Sequence, residues 1–131
     1  MTVPFALRVY YEDTDLAGIV YYANYLRFIE RARTEWVRAL GIDQVVLREQ
    51  TGIVFAVRRV EADYLRPARF DDLLEVETTL SRLTPARIVL DQRIRRGGEV
   101  LFQAQVTLVA LTPRGTPSRL PAGLRARLSD A

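Results

Sequence analysis

The sequence predicts one α+β domain in which a five-stranded antiparallel sheet wraps around a single long helix. Two observations carry this prediction. Only one long stretch, which begins at Asn24, has apolar residues at helical spacing, and the chain after Thr51 alternates apolar and polar residues in strand-length segments. With 131 residues, of which 49% are hydrophobic, the chain is large enough for one core. We therefore assign residues 1–131 to a single domain.

The long helix is predicted between Asn24 and Gly41. Asparagine favours the N-cap position, and glycine commonly follows a helix end. Between them, apolar residues recur every three or four positions: Tyr25, Phe28, Ile29, Ala32, Trp36, Val37 and Leu40. Most charged residues of this stretch lie outside that stripe, so one face is predicted to be buried and Trp36 to be a core residue. At about 1.5 Å per residue, the helix is roughly 25 Å long.

The strands are predicted from short runs bounded by turn residues. A connection with room for one helical turn follows the long helix at residues 42–52, and a short helix is predicted after Pro121. Gly97 and Gly98 are typical of a tight hairpin between the last two strands. The five predicted strands are Phe5–Tyr11, Ile53–Leu65, Asp72–Leu83, Arg87–Arg95 and Glu99–Leu111.

The arrangement of one helix on a sheet predicts an oligomer. A single helix covers one face of such a sheet, so we expect a partner to cover the opposite face or an edge, as in a homodimer or homotetramer. The net charge of +3 is too small to indicate a nucleic-acid partner. No segment reaches the roughly 18 apolar residues of a transmembrane helix, and we expect a cytoplasmic protein.

Composition also limits the chemistry that the chain can perform. There is no cysteine and no histidine, which excludes thiolate metal sites and removes the commonest general base. Acid–base catalysis must therefore use carboxylates, tyrosines or backbone groups. All 19 basic residues are arginine, a side chain that suits phosphate and carboxylate ligands but is also favoured by some genome compositions.

Three carboxylates, Glu12, Asp13 and Asp15, lie between the first strand and the long helix. They are compatible with a solvated turn in which aspartates cap backbone N–H groups, or with metal ligands. An apolar strand followed by D-T-D also resembles the nucleophile loop of haloacid-dehalogenase-like phosphatases, but that fold needs a longer chain of alternating strands and helices. The remaining interpretation uses the helix: its first turn has unpaired N–H groups that polarise a carbonyl oxygen, and a nearby Asp15 could attack that carbonyl or activate a water.

Residues 10–36 closely resemble the 4-hydroxybenzoyl-CoA thioesterase family, in its YbgC-like acyl-CoA thioesterase branch. The shared pattern is D-T-D-x-x-G-x-V-Y-x-x-x-Y-x-x-F-x-E-x-A-R, from Asp13 to Arg33. The resemblance implies a hot-dog fold, in which a sheet wraps a central helix, and hydrolysis of an acyl-CoA thioester without a cofactor or metal. It extends along nearly the whole chain in the order of elements, although the later strands carry no diagnostic motif.

The resemblance also implies roles for individual residues. Asp15, the second aspartate of D-T-D, is the expected catalytic nucleophile or general base, and the backbone N–H of Tyr22 is expected to polarise the carbonyl. Many YbgC-like members have histidine at this position, whereas the 4-hydroxybenzoyl-CoA type has tyrosine, so the acyl preference stays open. Asp13 is expected to order the loop.

The same resemblance suggests which residues meet the substrate. Gly18, Tyr21 and Tyr25 are substrate-binding candidates, with the two tyrosines forming either pocket wall or core. Glu30 is interpreted as an ion-pair partner. Basic residues of the later strands are expected to meet the CoA phosphates; the candidates are Arg58, Arg59, Arg82, Arg87 and Arg93. The alternative function is a non-catalytic module that binds an acyl group or a protein partner, because YbgC-like proteins are associated with the Tol-Pal envelope system.

Overall fold

The structure, a computed structural model, describes residues 4–130, so residues 1–3 and 131 of the predicted domain lie outside it. Within residues 4–130, three α-helices, one 3₁₀ turn and six strands follow one another. They are β1 (Phe5–Arg8), the 3₁₀ turn (Tyr11–Asp13), α1 (Asn24–Ala39), α2 (Gln44–Thr51), β2 (Val54–Tyr64), β3 (Leu73–Leu83), β4 (Arg87–Arg96), β5 (Glu99–Leu111), β6 (Pro117–Ser118) and α3 (Ala122–Ser129).

The strands form one antiparallel sheet in the order β1-β3-β4-β5-β2, and the two-residue β6 pairs with β5. The predicted α+β class and the meander of β3, β4 and β5 are confirmed. Bulges interrupt the pairing in β2 between Val57 and Arg59 and in β3 between Leu80 and Arg82. A bulge adds local twist and bending, which helps a long sheet to curve around a helix.

Helix α1 lies on the concave face of the sheet and contacts β1, β3 and β4. Its apolar stripe meets the inward side chains of the strands in a single core. Among the largest fully buried side chains are Trp36, Phe28, Ile29, Phe102, Leu74 and Leu90. Trp36 is thus a core residue, as its spacing predicts.

Two polar side chains are fully buried between α1 and the sheet. Gln92 of β4 donates from Nε2 to the carbonyl of Ile29 (2.9 Å) and to Oγ1 of Thr78 (2.9 Å). Its Oε1 accepts a hydrogen bond of 3.0 Å from Nη1 of Arg33. Burial lowers the pKa of the Arg33 guanidinium, although nearby Glu30 opposes this effect. These contacts fix the position of α1 along the sheet.

The outer face of the sheet is polar. Cross-strand neighbours there include Glu77 beside Arg93 and Glu75 beside Arg95. Such a face can stay hydrated, and its coverage by a partner stays a prediction. The outer edge of β2 is different: it has no neighbouring strand within residues 4–130, and Val57 and Val60 are exposed on it.

Several predicted boundaries are corrected by local hydrogen bonding. The N-cap of α1 is Ala23 rather than Asn24, whose side chain donates to the Asp13 carbonyl (3.0 Å). The first strand ends at Arg8 because Tyr11–Asp13 form a 3₁₀ turn. The connection 42–52 contains the two-turn helix α2, which Asp43 caps through hydrogen bonds from the N–H groups of Val45 and Val46.

Candidate active site

The carboxylate-rich loop between β1 and α1 is a tight turn. A bridge between Thr14 and Val20 closes it, and the N–H of Gly18 donates to the Asp15 carbonyl (3.0 Å). Gly18 has a φ of +78°, a left-handed conformation that glycine adopts without steric cost. The turn therefore needs glycine at this position and presents Asp15 at its start.

The Asp15 carboxylate is exposed and only half engaged. Oδ1 accepts a hydrogen bond from the N–H of Ala17 (2.9 Å), as in a capped turn. Oδ2 has no hydrogen-bond partner within residues 4–130. The expected turn cap and a reactive carboxylate are thus compatible, because one oxygen is fixed while the other faces solvent.

Asp13 is bonded to backbone and to the start of α1. Its Oδ2 accepts from the N–H of Tyr10 (2.8 Å), and its carbonyl accepts from the N–H of Tyr21 (2.9 Å). The same carbonyl accepts the side-chain amide of Asn24 (3.0 Å). These bonds hold the carboxylate loop against the first turn of α1.

A second turn, Tyr21–Asn24, leads into α1. It is closed by the N–H of Asn24, which donates to the Tyr21 carbonyl (2.8 Å). In the described part of the chain, the N–H groups of its two central residues, Tyr22 and Ala23, have no backbone acceptor. Unpaired N–H groups at a helix start carry the positive end of the helix dipole, so this turn offers two donors for an oxyanion.

A group of stacked aromatic rings lies behind this turn. Tyr25 is only 3% exposed and stacks on Phe102, with ring centroids 5.2 Å apart, while its hydroxyl accepts from the N–H of Ala68 (3.0 Å). Burial raises the pKa of its phenol. Of the two alternatives for Tyr25, core and pocket wall, the structure favours core. Tyr21 and Tyr22 are exposed, and the Tyr22 phenol, followed by weaker effects that include the Asp15 carboxylate, raises the pKa of Tyr21.

Two of the predicted phosphate-binding arginines, Arg82 and Arg87, are far from this loop within one chain. Arg87 and Arg82 line a cleft of about 380 Å³ at the turn between β3 and β4. The Asp15 loop contacts Ala68 and Arg69, which come just before the opposite end of β3. At ~3.3 Å per residue, that end of β3 is about 30 Å from the cleft. Arg58 lies at the bulge of β2, and Arg59 pairs with Glu61 on the outer face. The structure does not bring these arginines together with Asp15 of the same chain.

Two features of this region were not predicted from the sequence. Arg69 pairs through its backbone with Ile19, which places an exposed arginine beside the Asp15 turn. Tyr64, the last residue of β2, donates from its hydroxyl to the Tyr22 carbonyl (3.0 Å). The sequence signal for Arg69 was its position after Arg66-Pro67, a turn that returns the chain to the loop, whereas nothing in strand periodicity indicates the Tyr64 contact.

Neither a metal centre nor a membrane-spanning helix is found within residues 4–130. No group of three or more acidic side chains there is arranged to hold a metal ion. No helix in that part of the chain is both long and apolar enough to cross a bilayer.

Comparison with known proteins identifies the family. Residues 17–103 match the model of the thioesterase superfamily. The acyl-CoA thioesterase YbgC of Haemophilus influenzae is 45% identical over 107 residues, which are 82% of this chain and 79% of that protein. The acyl-CoA thioester hydrolase YbgC of Escherichia coli is 39% identical over 126 residues, covering 95% and 93% of the two chains.

A solved structure agrees with these relatives. The probable thioesterase from Bartonella henselae superposes with a TM-score of 0.88 at 40% identity, over 92% of this chain and 100% of that one. The fold is therefore a hot-dog fold, and the chain belongs to the thioesterase superfamily. Within it, the similarity to YbgC proteins confirms the resemblance seen in the D-T-D motif, and the protein is an enzyme of the thioester hydrolase class.

Proposed function

We propose that the protein hydrolyses an acyl-CoA thioester to a free acid and CoA, with Asp15 as nucleophile or general base. One observation carries this proposal. The Asp15 carboxylate has one oxygen without a hydrogen-bond partner in the described chain, and the adjacent turn before α1 has two N–H groups without a backbone acceptor. Hydrogen bonds to Asp13 hold these two turns together. The YbgC relatives act on acyl-CoA thioesters, which fits this arrangement.

The chemistry needs no cofactor. The thioester carbonyl oxygen accepts a hydrogen bond from the Tyr22 N–H, with the Ala23 N–H of the same turn as a second donor, and these bonds stabilise the negative charge that develops during attack. If Asp15 is the nucleophile, its oxygen forms an acyl anhydride as the C–S bond breaks, and water then hydrolyses the anhydride. If Asp15 is the general base, it takes a proton from the attacking water and the thiolate leaves directly. Both routes release the acid and CoA.

The remaining residues of the site support this reaction. Asp13 orders the loop, Gly18 closes the turn in a position open to solvent, and Tyr21 offers an exposed ring for the acyl or pantetheine part. Acyl-CoA hydrolysis also suits a cytoplasmic location, which we propose with it.

We also propose that a homodimer, or a homotetramer built from it, completes the substrate site. Arg87 lies about 30 Å from the Asp15 loop of its own chain, so we assign its phosphate contact to a second copy, and Arg58 and Arg59 lie on the edge strand β2 where that copy would pair. The unpaired edge of β2 suits antiparallel pairing with a second β2. In a register centred on Val60, Arg59 of one copy lies opposite Glu61 of the other, and the strand is thus complementary to itself.

The test is thiol release from benzoyl, 4-hydroxybenzoyl, short-chain and long-chain acyl-CoA, comparing the native protein with Asp15→Asn. We expect kcat to fall by about 10²-fold or more in the variant while CoA binding is retained. Asp130→Asn, which changes an exposed aspartate just after α3 and outside β2, is the matched control and should keep native turnover. Equal turnover by native protein and Asp15→Asn would refute the role of Asp15. Binding without turnover of any ester would instead indicate a non-catalytic acyl-binding module.

A further inference from the structure

We propose that Tyr64 is a positioning residue, whose hydroxyl holds the central peptide of the turn before α1 in the orientation that aims its N–H at the substrate carbonyl. This inference rests on the proposed function. It concerns the peptide unit between Tyr22 and Ala23, in which Tyr22 supplies the carbonyl and Ala23 supplies the N–H. The Tyr22 carbonyl accepts a hydrogen bond of 3.0 Å from the Tyr64 hydroxyl.

The position of this peptide in the turn makes its orientation important. The Tyr21–Asn24 turn is closed by a hydrogen bond between its first and last residues, so the peptide between Tyr22 and Ala23 is the central one. A central turn peptide is the unit that rotates between type I and type II turns, which exchanges the directions of its C=O and N–H. Ala23 has φ −69° and ψ −22°, as in a type I turn, and the bond from Tyr64 opposes the rotation on the carbonyl side.

Tyr64 is itself held in place by three aromatic rings. Its centroid lies 5.0 Å from Phe102, 5.4 Å from Tyr25 and 6.2 Å from Tyr22, each in an edge-to-face arrangement. Tyr25 and Phe102 belong to the core, so the phenol of Tyr64 extends from a fixed support to the turn. The strand that carries it, β2, pairs along its length with β5, which adds rigidity.

The hydroxyl has a second effect on the donor. A hydrogen bond to a peptide carbonyl polarises the same peptide unit and strengthens its N–H as a donor. A phenol with its ordinary pKa of about 10 is already a protonated donor at neutral pH, and burial, together with the phenols of Tyr22 and Tyr25, raises the pKa of Tyr64 further. The Ala23 N–H, which has no backbone acceptor in the described chain, is thereby oriented and strengthened beside the Tyr22 N–H.

The experiment compares Tyr64→Phe with the native protein and with Tyr11→Phe in steady-state thiol release. Phenylalanine keeps the ring and removes only the hydroxyl, so the aromatic packing is preserved. Tyr11 is the matched control because it is an exposed tyrosine with no hydrogen bond from its hydroxyl in the described residues, and its ring meets only Phe70 edge-on. Melting temperature and CoA affinity are measured for all three proteins.

We expect kcat of Tyr64→Phe to fall about three- to tenfold with KM within about twofold, and Tyr11→Phe to match the native protein. A native kcat in Tyr64→Phe would overturn the inference, as would a loss confined to KM or a loss that follows a large drop in melting temperature. Asp15→Asn in the same assay separates the two proposals: if it keeps full activity, the catalytic assignment fails, whereas an inactive Asp15→Asn with a fully active Tyr64→Phe refutes the positioning role alone. If the native protein releases thiol from no ester, both fall.

Discussion

The buried amide of Gln92 gives a sharp test of how α1 is held on the sheet. We consider Gln92→Leu, which keeps the volume of the side chain and removes all three of its hydrogen bonds. The change leaves the Thr78 hydroxyl, which is 0% exposed, without its donor, and it takes from Arg33 its side-chain acceptor. The carbonyl of Ile29 is less affected because it belongs to the interior of α1.

The expected loss in the free energy of unfolding follows from the hydrogen bonds that these groups lose. A buried hydroxyl left unsatisfied costs about 1–3 kcal/mol, and a hydrogen bond to a charged group contributes about 1.5–3 kcal/mol, less here because Arg33 is partly exposed. The apolar leucine recovers part of this loss through burial. We therefore expect the free energy of unfolding to fall by about 2–4 kcal/mol. At roughly 2.1 cal/mol/K per residue, this lowers the melting temperature by about 7–15 °C for 131 residues.

Urea unfolding at one fixed protein concentration measures this change, since a concentration-dependent oligomer would otherwise obscure it. Gln105→Leu is the control because Gln105 lies exposed on the outer face with one long contact to Asp91 (3.3 Å). The double variant Gln92→Leu/Thr78→Val removes both partners of one bond and should be less destabilised than the sum of the single variants. Strict additivity, or a loss below about 1 kcal/mol for Gln92→Leu, would refute the reasoning.

Two further predictions concern other parts of the fold. Tyr25→Phe should lower stability by about 1–3 kcal/mol, because the buried N–H of Ala68 loses its acceptor. Burial raises the native pKa of Tyr25, so the stability that its protonated phenol contributes is present below about pH 10 and is lost as pH rises through the native pKa. In urea titrations at increasing pH, the free energy of unfolding of the variant should therefore decline less steeply than that of the native protein. An identical decline in the two proteins would contradict this. Gly41→Ala should lower the free energy of unfolding by about 1–3 kcal/mol in thermal unfolding, because Gly41 has a φ of +80°. An added Cβ would also collide with Nη1 of Arg127, which donates to the Leu40 and Gly41 carbonyls. Gly98→Ala, with no atom within 4 Å of the added Cβ, should change stability little.

The alkaline experiment is unusually clean in this protein. The chain has neither lysine nor cysteine, so tyrosines are the side chains that titrate between about pH 9 and 11. Tyr21 and Tyr64 also have raised pKa values, so we expect part of the alkaline decline to remain in Tyr25→Phe.

Much of the fold could be predicted from periodicity, because each strand and α1 bury one face. The alternation in Glu99–Leu111 gave the bounds of β5 as the structure has them, and the stripe from Tyr25 to Val37 identified the buried face of α1. The errors lie where side chains bond to backbone instead. Asn24 was predicted as a cap, but its side chain donates to the Asp13 carbonyl. The helix α2 was predicted only as room for one helical turn, because its apolar residues are too few to form a clear stripe.

In the candidate site, too, the local features could be predicted from the sequence and the long-range contacts could not. The D-T-D motif placed Asp15 and Asp13 in one loop and Gly18 at its turn, since these depend on spacing within a few residues. Tyr64 lies 42 positions from Tyr22 in sequence, and only the pairing of β2 with β5 brings it to the turn. Long-range contacts of this kind leave no local pattern, and for the same reason the position of Arg82 and Arg87 at the far end of the sheet could not be predicted.

The strand order also has a consequence for how the chain is made. On a ribosome, β2 emerges before β3, β4 and β5, yet its one neighbour within the sheet is β5. The start of β5, Glu99, follows the end of β2, Tyr64, by about 35 residues, a delay of roughly 2–7 s at about 5–20 residues per second. During that interval both edges of β2 are unpaired, and its valines are available to a chaperone or to another nascent copy. The β3–β4 hairpin, which needs no later strand, is expected to form first.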